Sequence, residues 1–237
     1  MYLKYMKKPF WICGKHTVIA AINNPKRQIV KILVGKNFNT DLIQNKNIEI
    51  KDSFFFKKLF KDIDINHQNI AALVSELPER DLKKELDTIQ NALILESISD
   101  PRNIGAIIRT AVAFDIDSII IQKKYFNQTS VTMLKTASGA FDLVKIFCPT
   151  NLTETIKLLK KNNFWVIGLE NKGTKNIFQY KWSKKNAIIF GSEGFGLRKL
   201  IQENCDELLN IPINKSIESL NVSSAVAAVL SIYKSKN

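Results

Sequence analysis

Ile188-Ile-Phe-Gly-Ser-Glu-Gly-Phe-Gly196 is the stretch around which the rest of the chain is organised. Its apolar lead-in, residues 187–190, reads as a buried strand, and Leu197-Arg-Lys-Leu-Ile201 reads as the start of a helix. Between them Gly191, Gly194 and Gly196 open backbone angles closed to other residues, and one carboxylate, Glu193, sits among them. A loop at the carboxyl end of a strand is where α/β sheets place their ligands. The spacing matches neither the dinucleotide fingerprint G-x-G-x-x-G nor a phosphate loop, which ends on Gly-Lys-Ser/Thr. Taken alone, such a loop is a strand-to-helix turn with a solvated Glu. Two further stretches change that reading.

The strand at 187–190 belongs to a regular alternation that begins at Ala92. Strands are predicted at 92–95, 118–121, 143–147, 164–169, 187–190 and 208–211, with helices at 104–114, 131–138, 152–161 and 219–233. This alternation predicts an α/β fold, a parallel sheet with helices on both faces, over residues 92–237. Upstream, a helix at 14–22, strands at 29–34, 48–50 and 70–75, one helical turn at 41–44 and a helix at 53–60 capped by Ser53 make a small α/β unit over residues 1–78. Residues 1–8 read as a loose basic tail. The charged segment 79–91, starting Glu79-Arg-Asp-Leu-Lys-Lys-Glu, is the expected linker, as coil or a short exposed helix.

The net charge of +13 and hydrophobic content of 45% describe a folded chain with a polyanion-attracting surface, for which nucleic acid is the usual partner. An anionic membrane surface is the weaker alternative, because no basic amphipathic helix stands out. No apolar run approaches the ~20 residues that span a bilayer. No secretory signal is expected. Cys13, Cys148 and Cys205 are scattered without zinc or Cys-x-x-Cys spacing, which suits a reducing, cytoplasmic setting.

The first additional stretch is Glu96-Ser-Ile-Ser-Asp-Pro-Arg-Asn-Ile-Gly-Ala-Ile-Ile-Arg109. Asn103 is placed to cap the helix that follows Pro101. Arg109 falls amid Ile107, Ile108, Ala111 and Val112, and an arginine on an apolar helix face is paired or functional. The second is Ile211-Pro-Ile, then Glu218-Ser-Leu-Asn221, leading into Val222-Ser-Ser-Ala-Val-Ala-Ala. Either Ser219 or Asn221 can cap that helix, and polar groups at a helix N-terminus suit an anion. The only histidines, His16 and His67, lie in the first unit, so no Ser-His-Asp or Cys-His centre is available to the large domain. No metal ligand set and no kinase motif is present.

Together the three stretches resemble the SpoU family, the TrmH-like RNA 2′-O-methyltransferases. Asn103-Ile-Gly-Ala-Ile-Ile-Arg109, Phe190-Gly-Ser-Glu-Gly-Phe-Gly-Leu197 and Ile211-Pro-Ile with Glu218-Ser-Leu-Asn-Val-Ser-Ser-Ala225 agree with the family's motifs in order and spacing. The resemblance covers about 92–235 and, more weakly, 11–77, where Gly14-Lys-His-Thr-Val and His67-Gln-Asn-Ile-Ala look like the family's small RNA-binding domain. Asn69 stands where that domain has Gly. The two-domain arrangement is most like the 23S rRNA guanosine 2′-O-methyltransferase branch, with tRNA-modifying relatives still open. The resemblance implies a C-terminal trefoil knot, a homodimer joined through it, and S-adenosyl-L-methionine (AdoMet) held by the backbone of Gly191, Ile211 and Leu220. It also implies Arg109 as the catalytic residue, with Asn103, Glu193, Ser219 and Asn221 positioning it and the ribose. A guanidinium stays protonated, which favours orientation and charge stabilisation over base catalysis. Lys4, Lys7, Lys8, Lys15, Lys26 and Arg27 give the first unit an expected RNA-facing surface. A non-catalytic RNA-binding protein of the same fold is the competing expectation.

Overall fold

The computed structural model describes residues 8–43, 47–63, 65–192 and 194–236. Of the residues named above, Lys4, Lys7, Gln44 and Glu193 lie outside the described residues. The chain divides into two compact units, one formed by 1–78 with 127–143 and the other by 79–126 with 144–237.

The first unit holds a four-stranded sheet. Its elements are β1 (Phe10–Cys13), α1 (Lys15–Asn23), β2 (Ile29–Gly35), β3 (Ile48–Lys51), α2 (Ser53–Leu59) and β4 (Ile70–Val74), with strand order β1-β4-β2-β3. β4 pairs antiparallel with both β1 and β2, and β2 pairs parallel with β3. Helix α2 is capped by Asp52, whose carboxylate accepts the Phe55 N–H at 2.8 Å, and not by Ser53 as expected. Both types are good caps, and the chain turns helical one residue earlier. Phe56 and Phe60 pack with Cys13, Leu33 and Ala71 as this unit's core.

The helix expected at 131–138 forms as α5 (Val131–Ala137), but it packs in this first unit and not on the large sheet. Leu134 C=O accepts the Thr17 hydroxyl at 3.2 Å. Just beyond it, Asp142 receives Arg27 through Nε at 3.0 Å and Nη2 at 3.2 Å, with both side chains buried. Arg27 is therefore a buried structural residue and no part of an RNA-facing surface. Its remaining reach is used by the Ser75 carbonyl and the Phe141 ring.

The second unit is built on seven parallel strands. Its elements are α3 (Leu82–Glu85), β5 (Asn91–Leu95), α4 (Pro101–Ala113), β6 (Ser118–Ile121), β7 (Lys145–Phe147), α6 (Leu152–Lys161), β8 (Trp165–Leu169), β9 (Lys175–Asn176), β10 (Asn186–Phe190), α7 (Lys199–Gln202), β11 (Glu207–Asn210) and α8 (Val222–Ser235). Strand order is β7-β6-β5-β10-β8-β11-β9. Ala92, Ile94, Ala187 and Ile189 share one buried cluster with Ile156 and Leu159 of α6. Their sequence neighbours Leu93, Leu95, Ile188 and Phe190 point to the opposite face by the two-residue strand period and are as deeply buried. Both faces of the sheet are thus covered, which is why its strands read as unbroken apolar runs. β10 lies between β5 and β8, and β11 between β8 and β9, so the last strands of the chain fill interior places in the sheet. Among the described residues no helix is long and apolar enough to cross a membrane.

Candidate active site

β10 delivers Phe190 to the sheet's carboxyl edge, and the chain then folds back on itself. Ser192 and Gly196 form an isolated bridge, with the Gly196 N–H donating to the Ser192 carbonyl at 2.9 Å. Gly196 has φ +60. A Cβ on Gly191 would stand 2.2 Å from the Gly196 carbonyl oxygen, so the loop closes only because residue 191 has no side chain. Two carboxylates from neighbouring strand ends hold its exit. Glu170, after β8, accepts the Leu197 N–H at 3.2 Å. Glu96, after β5 and fully buried, accepts the Arg198 N–H at 3.2 Å and its Nε–H at 2.5 Å.

The other two stretches meet at the N-termini of α4 and α8. Asp100, not Asn103, caps α4: it accepts the Arg102 N–H at 2.9 Å, with Pro101 in the first turn. Proline fixes the helical start, so the capping residue must be the one before it. Asn103 instead accepts a 3.0 Å hydrogen bond from Asn221 Nδ2, across 118 residues of sequence. Asn221 caps α8 through its Oδ1, which accepts from Ser223 N at 2.9 Å, Ser223 Oγ at 2.6 Å and Ser224 N at 3.4 Å. At the far ends Lys234 of α8 pairs with Asp115, just past α4, at 2.6 Å. The two helices therefore run side by side with their positive ends together. The loop before α8 is tied back to the end of β8, where Asn171 Nδ2 donates to the Glu218 carbonyl at 2.9 Å. Ile211 and Leu220 are half-buried on this edge, and Ser219 is exposed.

Arg109 is exposed on α4, whereas an apolar face was expected. Its buried neighbours Ile107, Ile108 and Ala111 sit one or two residues away and so point elsewhere on the helix. Among the described residues Arg109 has no ion pair or side-chain hydrogen bond, and it lies about 9 Å along the axis from Asn103. The guanidinium is available to an anion from outside the chain.

Both histidines belong to the first unit. His67 stacks on Phe56 at 5.4 Å and on Phe60 at 6.3 Å, and its Nδ1 accepts the Asn69 N–H. Burial, with Lys57 and Lys135 nearby, holds its pKa below the ordinary 6.5. The three thiols are pushed up by burial, Cys13 and Cys205 to about 12 and Cys148 to about 11, which makes them poor nucleophiles.

A family model for the SpoU rRNA methylase family matches residues 90–231, which include all the site residues singled out above. The chain belongs to this family. A second model, for the RNA 2′-O ribose methyltransferase substrate-binding domain, matches residues 11–80. Among SpoU relatives, the 23S rRNA (guanosine-2′-O-)-methyltransferase RlmB of Xylella fastidiosa is 32% identical over 94% of this chain and 95% of its own. The RlmB of Yersinia pestis is 36% identical over 92% and 94%. In structure the chain is similar to the SpoU methyltransferase AviRb of Streptomyces viridochromogenes, solved with AdoMet, with a TM-score of 0.81 and 18% identity over 97% of this chain and 90% of that one. Two residues of this SpoU site were not assigned from sequence, Glu96 and Glu170. Each is a carboxylate directly after a predicted strand, and that position was the available signal.

Proposed function

We propose that the chain transfers a methyl group from AdoMet to the ribose 2′-hydroxyl of a guanosine in 23S rRNA. The observation that carries this reading is the Asn103–Asn221 hydrogen bond, which joins two distant family motifs beside the Gly191–Leu197 turn. The cofactor site fits the residues present. The Asn210 Oδ1, at the end of β11 beside Ile211, is buried without a partner among the described residues. That orphaned acceptor suits an adenine amine or an amino-acid ammonium. Gly191, Ile211 and Leu220 would hold AdoMet through their backbone groups. AdoMet supplies an electrophilic methyl when bound.

The chain's own part in the reaction is positional and electrostatic. A guanidinium is a poor base, so Arg109 orients the ribose and its phosphate. Asn103 and Asn221, locked to each other, fix the ribose side of the site, with Ser219 and Glu193 completing it. The interior places of β10 and β11 suit a trefoil knot around the cofactor, and the chain works as a homodimer joined through that region. Residues 1–78 with 127–143 act as the RNA-binding unit and 79–126 with 144–237 as the catalytic unit; 79–91, expected as a linker, packs into the latter through Leu86 and Ile89, and the enzyme works in the cytoplasm.

The test is transfer of tritiated methyl from AdoMet to 23S rRNA and, separately, to tRNA, by wild type and Arg109→Ala. Label in rRNA with wild type only is expected. Label in tRNA alone would replace the substrate, equal transfer by both proteins would remove Arg109 from the mechanism, and calorimetry without AdoMet binding would leave an RNA-binding protein.

A further inference from the structure

Arg198 ends the turn after β10 and is more than half exposed, yet its position is fixed by a carboxylate with no exposure at all. A buried carboxylate is costly unless fully satisfied. Arginine–carboxylate pairs are frequently bidentate, fork to fork through two guanidinium nitrogens. Here one oxygen of Glu96 takes the Arg198 backbone N–H and the other takes only Nε. The two Nη groups are left without an acceptor among the described residues.

The neighbouring strand ends add to this charge. β6, β5 and β10 are adjacent and parallel, so residues following each of them share one edge of the sheet. After β6 come Lys124, exposed, and Tyr125, with the Lys124 Nζ 4.7 Å from the tyrosine ring centroid. After β5 comes Ser97, a non-glycine residue at φ +55, which the backbone adopts only when its surroundings compensate. The Ser97 side chain first and Lys124 next, with the charges of Lys124 and Arg198, hold the Tyr125 phenol below its ordinary pKa. Lys124 and Tyr125 after β6 and Arg198 after β10 thus lie at the sheet edge that carries the Gly191–Leu197 turn.

We propose that Arg198, Lys124 and Tyr125 bind a phosphodiester of the substrate RNA next to the target ribose, with Glu96 as the positioning residue that aims Arg198. The proposal rests on the methyltransferase reading for the identity of the RNA. A phosphate presents several acceptor oxygens to a guanidinium fork, and a fixed fork loses little entropy on meeting them. The other anion available to such a site is the carboxylate of AdoMet itself, and the experiment separates the two.

The experiment measures binding of the full chain to a 23S rRNA transcript across a series of salt concentrations, with AdoMet affinity measured in parallel by calorimetry. Arg198→Ala is expected to weaken RNA binding about ten-fold and to flatten the slope of log K against log salt by about 0.7–0.9, the loss of one phosphate contact. Lys124→Ala, at an exposed site that does not endanger folding, should flatten it similarly. Arg198→Lys should keep the slope with weaker binding. Glu96→Gln should weaken RNA binding while keeping the slope, because the cation remains but is no longer aimed. Unchanged slopes in both alanine variants would overturn the proposal, as would an Arg198→Ala protein that loses AdoMet affinity and keeps RNA affinity. These slopes do not depend on methyl transfer, so a failure of the methyltransferase reading shows separately, as wild type that binds but does not label.

Discussion

Asn221 has two separable duties, and one pair of substitutions tells them apart. Asn221→Ala removes the cap of α8, a loss of about 1 kcal/mol. It also removes the exposed bond to Asn103, a further ~0.5–1 kcal/mol. A domain of this size loses roughly 2–4 °C of melting temperature per kcal/mol, so the variant should melt about 3–8 °C below wild type. Asn221→Ser keeps a capping oxygen for Ser223 and Ser224 but has no amide to reach Asn103, which accepts that bond at 3.0 Å. It should melt no more than about 2–4 °C below wild type. In single-turnover transfer of tritiated methyl, both variants should lose about 10²-fold, the scale of a misplaced reacting group. Asn103→Ala should lose as much, and Asn103→Ala with Asn221→Ser no more than either alone, because a broken pair cannot be broken twice. Identical melting of the alanine and serine variants would refute the capping assignment. Multiplicative losses in the double variant would refute the claim that the asparagines act as one unit.

Arg109→Ala should slow transfer by about 10²–10³-fold and leave thermal unfolding unmoved, because Arg109 is exposed and supports no described contact; a lowered melting temperature would mean it is structural. Arg27→Ala should destabilise the first unit by about 3–5 kcal/mol, since it strands the buried Asp142 carboxylate. Urea unfolding followed by a probe in residues 1–78 checks this. His67 has a folded-state pKa below its ordinary 6.5, so the unfolded chain takes its proton more readily. Its contribution is complete above pH 6.5 and is lost as pH falls through the folded value. Stability should drop from pH 7.5 to 5.5, and His67→Gln should shrink that drop; an equal drop in the variant would clear His67 of the effect.

The parallel sheet was legible because its central strands are buried on both faces and leave continuous apolar runs, as in Ala187-Ile-Ile-Phe190. Strand order was not legible, because burial says nothing about which strand lies beside which. The same limit hid α5, whose apolar spacing is satisfied by either unit. Arg27 looked like one more surface cation because its partner, Asp142, is 115 residues away. Arg109 was misplaced onto an apolar face because adjacent residues in sequence were read as adjacent on a helix, where neighbours are three and four apart. The site's glycines and asparagines were legible as residues, while Glu96 and Glu170 show their use only once the ends of β5, β8 and β10 are seen side by side.

The places occupied by β10 and β11 carry a cost during synthesis. Until residues 186–210 are made, β5 and β8 each present an edge of unsatisfied peptide groups with no strand between them. Such edges invite pairing with another nascent copy. A chain released before residue 186 would lack the strand at the middle of its own sheet, so conditions that truncate this message there should yield insoluble protein.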